Sequence, residues 1–68
     1  MNKQSFKESR RQQIATYIES NKEIKVDALS EMFGVSVATI RRDLNELARL
    51  GILNRVHGGA IKSEYIQL

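Results

Sequence analysis

The chain has 68 residues, a formal net charge of +3 and no cysteine. This length predicts one small domain with a single core, and the lack of cysteine excludes disulfides, thiolate nucleophiles and the common zinc-finger ligand sets. No apolar run approaches the ~18 residues of a membrane span and no signal peptide is recognisable, so we expect a cytoplasmic protein with no membrane partner.

The positive charge is concentrated in two blocks. Met1–Lys22 and Ser36–Lys62 each contain five basic and two acidic residues, whereas Glu23–Val35 contains one basic and three acidic residues. Such segregation favours an anionic partner, although the net charge alone is equally typical of any soluble protein.

The first basic block predicts a helix, because apolar residues recur there at helical spacing in Ile14, Tyr17 and Ile18. Its start stays open between two capping boxes, Ser5 with Glu8 and Ser9 with Gln12. The weakly helical segment Ser20–Lys22 ends it, and the alternating Glu23–Val26 predicts a very short strand.

Two further helices follow, joined by a short turn. The second has an apolar stripe of Leu29, Met32 and Phe33 and ends at Gly34, which can adopt a positive φ. Ser36 is a good N-cap for the third helix, which extends to about Leu50 and buries Ile40, Leu44 and Leu47. The brief connection Gly34–Ser36 is typical of a helix-turn-helix.

After Gly51 the pattern predicts a β-hairpin. Ile52–Val56 and Ala60–Lys62 are the two strands, and His57–Gly59 is the turn, whose paired glycines allow positive φ angles. The predicted fold is mainly α with this small hairpin, a winged helix-turn-helix. It occupies residues 1–62, and residues 63–68 form a tail or the start of a linker.

Ten apolar residues from all these elements should form the core: Ile14, Ile18, Leu29, Phe33, Val35, Ile40, Leu44, Leu47, Leu53 and Val56. Tyr17 and Met32 are also expected to lie in it.

The third helix has a small, polar and basic outer face. At about 100° per residue, the side opposite Ile40 contains Ala38, Arg42, Asn45 and Arg49, and the flanks contain Thr39 and Arg41. Such a face suits the DNA major groove, which admits one helix. On the other interpretation these are ordinary solvated positions, with Asp43 and Glu46 moderating the charge of the arginines.

Each residue near the start of this helix has a plausible DNA contact. Ala38 allows close backbone approach, Thr39 can reach a phosphate or a thymine methyl, and Ser36 caps a helix end that attracts phosphate. Arg41 and Arg42 can each bind a phosphate or read guanine; the sequence does not distinguish the two roles.

Other kinds of site are disfavoured. His57 is the only histidine and has no neighbouring ligands, so no metal is expected. Gly58, Gly59 and Lys62 lack P-loop spacing, and a domain this small offers little concave volume for catalysis. The chain is therefore predicted to be neither an enzyme nor a cofactor-binding protein.

Three segments together resemble the DeoR family of bacterial sugar-metabolism regulators: Val35-Ser36, Thr39-Ile40-Arg41-Arg42-Asp43-Leu44 and Gly51-Ile52-Leu53-Asn54-Arg55-Val56-His57-Gly58-Gly59-Ala60. The resemblance implies a winged-helix DNA reader that usually represses operons for sugar uptake or catabolism. It also implies a larger C-terminal domain, absent here, that binds a phosphorylated sugar and sets the oligomeric state. Lys25 departs from the family pattern, since members often have Ser or Thr at the start of helix two; this weakens a cap but adds a possible phosphate contact.

The predicted partner is double-stranded operator DNA. Asn45 is a further candidate contact on the third helix. The candidate contacts outside that helix are Arg10, Lys25, Arg55, His57, Gly58 and Lys62. The isolated chain is expected to be monomeric and insensitive to sugar phosphates, and the full-length protein a homo-oligomer. Two alternatives stay open: a winged-helix protein-interaction module, and the regulatory DNA-binding module of a larger enzyme.

Overall fold

Three helices and a three-stranded sheet make up the fold. The computed structural model describes residues 4–63, with backbone only for Gln4 and Ser5. In chain order the elements are α1 (Gln4–Asn21), β1 (Glu23–Lys25), α2 (Val26–Phe33), α3 (Val37–Arg49), β2 (Leu53–Val56) and β3 (Gly59–Lys62). This confirms the winged helix-turn-helix. Apart from Ser63, the predicted tail lies outside the described residues.

Helix α1 is longer than predicted at its start. It is already helical at Gln4, so Ser5 and Ser9 both lie inside it and neither capping box marks its first turn. At the other end Lys22 adopts φ 70°, and its N–H donates to the Ile18 carbonyl at 2.9 Å. This left-handed residue ends the helix and turns the chain into β1.

The turn between α2 and α3 is fixed by local hydrogen bonds. Gly34 adopts φ 65° and donates to the Ser30 carbonyl at 2.9 Å, while the Ser30 hydroxyl donates to the Val35 carbonyl at 2.6 Å. At the start of α2, Lys25 occupies the N-cap position without a side-chain cap, as its departure from Ser or Thr implies. Val26, predicted to belong to β1, is the first residue of α2.

Helix α3 ends in a Schellman motif centred on Gly51. Gly51 has φ 81°, the Ile52 N–H donates to the Leu47 carbonyl at 2.9 Å, and the Gly51 N–H donates to the Ala48 carbonyl at 3.0 Å. This is the pairing expected where a glycine reverses the chain after a helix. It directs the chain from α3 into β2.

The sheet has the order β1-β3-β2, with β3 antiparallel to both neighbours. In the hairpin turn only Gly58 has a positive φ, 76°, so that expectation was wrong for Gly59. Gly59 is required for a different reason: a Cβ there would lie 2.1 Å from the Ile24 carbonyl oxygen. The close approach of β1 and β3 therefore demands a residue without a side chain.

The hydrophobic core lies where the three helices and the sheet converge. Seven of the predicted residues are buried: Ile14, Ile18, Leu29, Ile40, Leu44, Leu47 and Leu53. Phe33 and Val35 pack against them and are partly buried. Three further residues complete the core and were not predicted: Ile24, Val26 and Ala60.

Three predicted core residues lie at the surface. Val56 is 41% exposed, Met32 52% and Tyr17 37%. In a strand alternate residues share a face, so Val56 cannot lie on the same side of β2 as Leu53. Helix α2 is short and buries Val26 and Leu29, which leaves Met32 outside.

Candidate nucleic-acid interface

The outer face of α3 is exposed along the length of the helix. Ala38, Arg41, Arg42 and Asn45 are exposed and Thr39 is half-buried, while Ile40, Leu44 and Leu47 are buried on the opposite side. The division between the two faces follows from the helical period in the sequence. The predicted DNA-facing residues of α3 therefore share one accessible surface.

The first turn of α3 is capped by Ser36. Its hydroxyl oxygen accepts the Thr39 N–H at 3.1 Å and its hydroxyl group also contacts Thr39 Oγ1 at 3.1 Å. Ser36 has extended backbone angles, as an N-cap requires. Two hydroxyl groups thus lie beside the positive end of the helix dipole, the end that favours anions.

Arg41 and Arg42 have no ion pair or hydrogen-bond partner among residues 6–63. Arg49, on the same outer face, differs: its Nη2 lies 2.6 Å from Glu46 Oε2. That hydrogen bond lowers the pKa of Glu46 and raises the pKa of Arg49. Within that range, nothing accepts a hydrogen bond from the two arginines nearest the start of α3, so their donors can reach an external acceptor.

Asp43 lies on the inner side of α3 and is fully buried. Its carboxylate accepts from Arg11 Nε at 2.8 Å and from Arg10 Nη2 at 3.0 Å, and Arg10 Nε donates to the second oxygen. Burial by itself raises the pKa of this carboxyl, but the hydrogen bonds from Arg10 and Arg11 outweigh it and the pKa is lowered. Asp43 is thus an ionised carboxylate that ties α3 to α1.

The position of Asp43 bears on two expectations. It does not moderate the charge of the exposed arginines on the solvent side, because its partners are on α1. The same contact occupies the guanidinium of Arg10, whose pKa is raised by its hydrogen bond to Asp43. Arg10 therefore contributes to the packing of α1 on α3, which argues against its predicted contact with DNA. The helical period contained the signal, since Asp43 lies about 300° after Ile40, on the buried side.

Two basic residues of the hairpin have internal partners. Arg55 is half-buried; its Nε donates to the Gly59 carbonyl at 3.1 Å and its Nη1 donates to Asn45 Oδ1 on α3. Lys62 Nζ lies 3.4 Å from Glu19 Oε1 on α1. Both side chains attach the hairpin to a helix.

The turn of the hairpin lies beside the start of α2. The Val26 N–H donates to the Gly58 carbonyl at 2.9 Å, and Lys25 pairs with Gly59 across the sheet. Because His57 and Lys25 are both exposed, two potentially basic side chains lie at this end of the sheet. The structure thus brings together three of the predicted DNA contacts, Lys25, His57 and Gly58.

Comparison with known proteins gives the family. The model of the DeoR-like helix-turn-helix domain matches residues 10–64, most of the chain. The chain belongs to this family. The matched residues include α2, the turn, α3 and the wing. The match therefore identifies the chain as a helix-turn-helix DNA-binding domain.

Curated relatives of this DeoR-like domain are transcription regulators. The lactose phosphotransferase system repressor of Streptococcus mutans is 43% identical over 61 residues, covering 90% of this chain and 24% of the relative. The L-fucose operon activator of Haemophilus influenzae is 41% identical over 51 residues, covering 75% and 20%. The regulator GolR of Listeria innocua is 41% identical over 61 residues, covering 87% and 24%. The chain thus spans about a quarter of the length of these relatives, and no solved structure matches it significantly.

The described part of this DeoR-like domain has neither a metal-ligating cluster nor a membrane-spanning helix. Within residues 4–63 there is no group of three or more His, Cys, Asp or Glu side chains that could hold a metal ion. No helix in that range is long and apolar enough to cross a membrane.

Proposed function

We propose that this domain reads operator DNA by placing the first two turns of α3 in the major groove. The observation that carries the proposal is the pair Arg41 and Arg42, exposed beside small Ala38 and without a partner among the described residues. A groove wide enough for one helix presents guanine acceptors and phosphates at the distance these side chains reach. Either Arg41 contacts guanine and Arg42 contacts a phosphate, or the two roles are reversed.

The capped start of α3 supplies a phosphate contact. The Ser36 and Thr39 hydroxyl groups, 3.1 Å apart, lie at the positive end of the helix, where backbone N–H groups favour an anion. A phosphate at this point sets the depth and register of α3, while the arginines read the sequence. Thr39 either joins that phosphate contact or packs on a thymine methyl.

The wing contributes contacts that do not depend on sequence. His57, Gly58 and Lys25 lie together at the turn end of the sheet, and the hairpin there follows the DNA backbone or the adjacent minor groove. Lys62 also lies on the wing, but its ion pair with Glu19 places it further from that end. Because the Glu19 carboxylate offsets its charge, Lys62 should contribute less to DNA binding than Lys25.

The biological role that we propose is repression of an operon for sugar uptake or catabolism. The names of the lactose phosphotransferase system repressor and the L-fucose operon activator support a sugar-related role, and the first supports repression. A phosphorylated sugar is sensed by a domain outside this chain, which also makes the full-length protein a homo-oligomer. This domain itself is a monomeric, non-catalytic DNA reader that acts in the cytoplasm.

Binding-site selection followed by a salt titration tests the proposal. Purified domain is used to select duplexes from a random library, and the affinity for the best duplex is measured from low to physiological salt. We expect an enriched sequence, and a log–log salt slope that becomes shallower by about one when a phosphate-contacting arginine is replaced. A candidate sugar phosphate should leave the affinity of the isolated domain unchanged. Recovery of no enriched duplex, or full affinity in both Arg41→Ala and Arg42→Ala, would contradict the proposal.

A further inference from the structure

Asn45 and Arg55 form a bridge between α3 and the wing. Asn45 is exposed on the outer face of α3, and Arg55 is half-buried on β2. The Arg55 Nη1 donates to Asn45 Oδ1, and the Arg55 Nε donates to the Gly59 carbonyl at 3.1 Å. The guanidinium is thus held at two points, one on the backbone of β3 and one on the recognition helix.

The chemistry of this bridge fixes the orientation of the Asn45 amide. A guanidinium has donors only, so the atom that it meets on Asn45 is the carbonyl oxygen. The Nδ2 group, with two donors, has no hydrogen-bond partner among residues 6–63. Arg55 also has no carboxylate partner in that range. The pair therefore combines two amide donors with an uncompensated positive charge.

This combination changes what Asn45 recognises. An unrestrained asparagine reads adenine with both ends of its amide, accepting from N6 and donating to N7. The Asn45 oxygen has two lone pairs, and Arg55 engages one of them in a charge-assisted bond. The guanidinium beside it makes the oxygen a poorer acceptor for a second donor such as the adenine amino group. Guanine presents two acceptors at the same edge, N7 and O6, and a phosphate presents only acceptors.

We propose that Arg55 makes Asn45 a donor-only reader, which selects a hydrogen-bond acceptor of DNA, guanine in preference to adenine or else a phosphate oxygen. Arg55 acts here as a positioning residue, through Asn45, and not as a direct base contact. The inference rests on the proposed function and extends it by one turn, because Asn45 lies in the third turn of α3 and must also face the major groove. It names the chemistry at one point of that interface.

The test is binding-site selection with wild type and three variants. Asn45→Ala identifies the base pair read at this position, because preference there is lost. Arg55→Met retains the aliphatic stem but removes the donors that engage Asn45 Oδ1. Arg49→Met is the matched control, since it also removes one positive charge from α3, but the hydrogen bonds of Arg49 go to Glu46 and not to Asn45. A thermal melt of each variant establishes that it is folded.

We expect wild type to prefer guanine at the pair identified by Asn45→Ala, with discrimination of roughly 5- to 150-fold. Arg55→Met should shift that preference toward adenine, whereas Arg49→Met should weaken all duplexes without changing it. If Asn45→Ala weakens all selected duplexes alike, the acceptor is a phosphate oxygen.

Three results would overturn the inference. The first is that wild type prefers adenine at this position and Asn45→Ala abolishes the preference. The second is that Arg49→Met shifts the base preference toward adenine as much as Arg55→Met does. The third is an unchanged guanine preference in folded Arg55→Met. In each case an enriched duplex is still recovered, so the proposed function stands; a wild-type selection without enrichment contradicts the proposed function instead. Should Arg55→Met not fold, the base that wild type prefers at the Asn45 position decides the question.

Discussion

Two pairs of adjacent arginines, Arg10–Arg11 on α1 and Arg41–Arg42 on α3, have opposite environments. The first pair converges on the buried carboxylate of Asp43, with side chains only 16% and 24% exposed. The second pair is exposed and has no partner among the described residues. The same dipeptide is thus part of the structural framework in one place and available for binding in the other. The two pairs differ because the Asp43 carboxylate contacts Arg10 and Arg11. No described carboxylate contacts Arg41 or Arg42.

The largest effect, a loss of stability, is expected from removing the Asp43 carboxylate. Asp43→Ala leaves two partly buried arginines without their partner, which should lower the free energy of unfolding by about 3 kcal/mol, as expected for a broken buried ion pair. Urea unfolding measures the loss. Asp43→Asn keeps an acceptor oxygen and should lose less; equal stability of wild type and Asp43→Ala would show that the first pair has no structural role.

The second pair should respond in the opposite way. Arg41→Ala and Arg42→Ala should leave the unfolding free energy nearly unchanged, because both side chains are exposed. Each should weaken binding to the selected duplex by about 1–3 kcal/mol if it contacts a base, with relaxed specificity at one position. The variant that contacts a phosphate should weaken all duplexes alike. Titration of the selected duplex and of a scrambled duplex distinguishes the two.

Lowering the pH should weaken the ion pairs that Arg10 and Arg11 form with Asp43, because they depend on an ionised carboxylate. Arg41 and Arg42 have no such partner among the described residues. The pKa of Asp43 is lowered in the folded state, so its stabilising contribution is present above about pH 4 and is lost as the pH falls through the lowered value. Unfolding in urea at pH 7, 4 and 3 should therefore show a larger loss for wild type than for Asp43→Asn. An identical acid profile in the two proteins would be inconsistent with an ionised Asp43.

The smallest effect is expected from Arg49, which has a partner but is exposed. Its ion pair with Glu46 lies at the surface, where water screens the attraction. Arg49→Met should leave the thermal midpoint almost unchanged and reduce DNA affinity only through its general charge. A large drop in stability would mean that exposed pairing on α3 matters as much as the buried pairing of Asp43.

Local signals in the sequence predicted most of the fold. Helix ends are marked by hydrogen bonds between residues close in the chain, at Gly34, Ser36 and Gly51. The buried face of α3 follows from the helical spacing of Ile40, Leu44 and Leu47. The two arginine pairs could not be separated in this way, because Arg10 and Asp43 are 33 residues apart. Their contact depends on how α1 packs on α3.

Parts of the wing also depend on contacts that the sequence does not display. Gly59 fits a tight turn by its residue type, but it is required by the approach of Ile24 from a strand far away in the chain. Arg55 is a residue type common in DNA contacts, yet its position against Asn45 depends on how β2 packs on α3. In both cases the residue type was informative and the partner was not predictable.

The most direct test compares Arg10→Met with Arg41→Met and Arg42→Met, each lacking one positive charge, for affinity to the selected duplex under conditions where all are folded. Because the charge change is the same, only the location of the arginine differs. We predict that Arg10→Met binds about as tightly as wild type while Arg41→Met and Arg42→Met bind several-fold to a hundredfold more weakly, on the order of 1–3 kcal/mol each. Equal weakening in all three would contradict the division of the arginines into a structural pair and a DNA-binding pair.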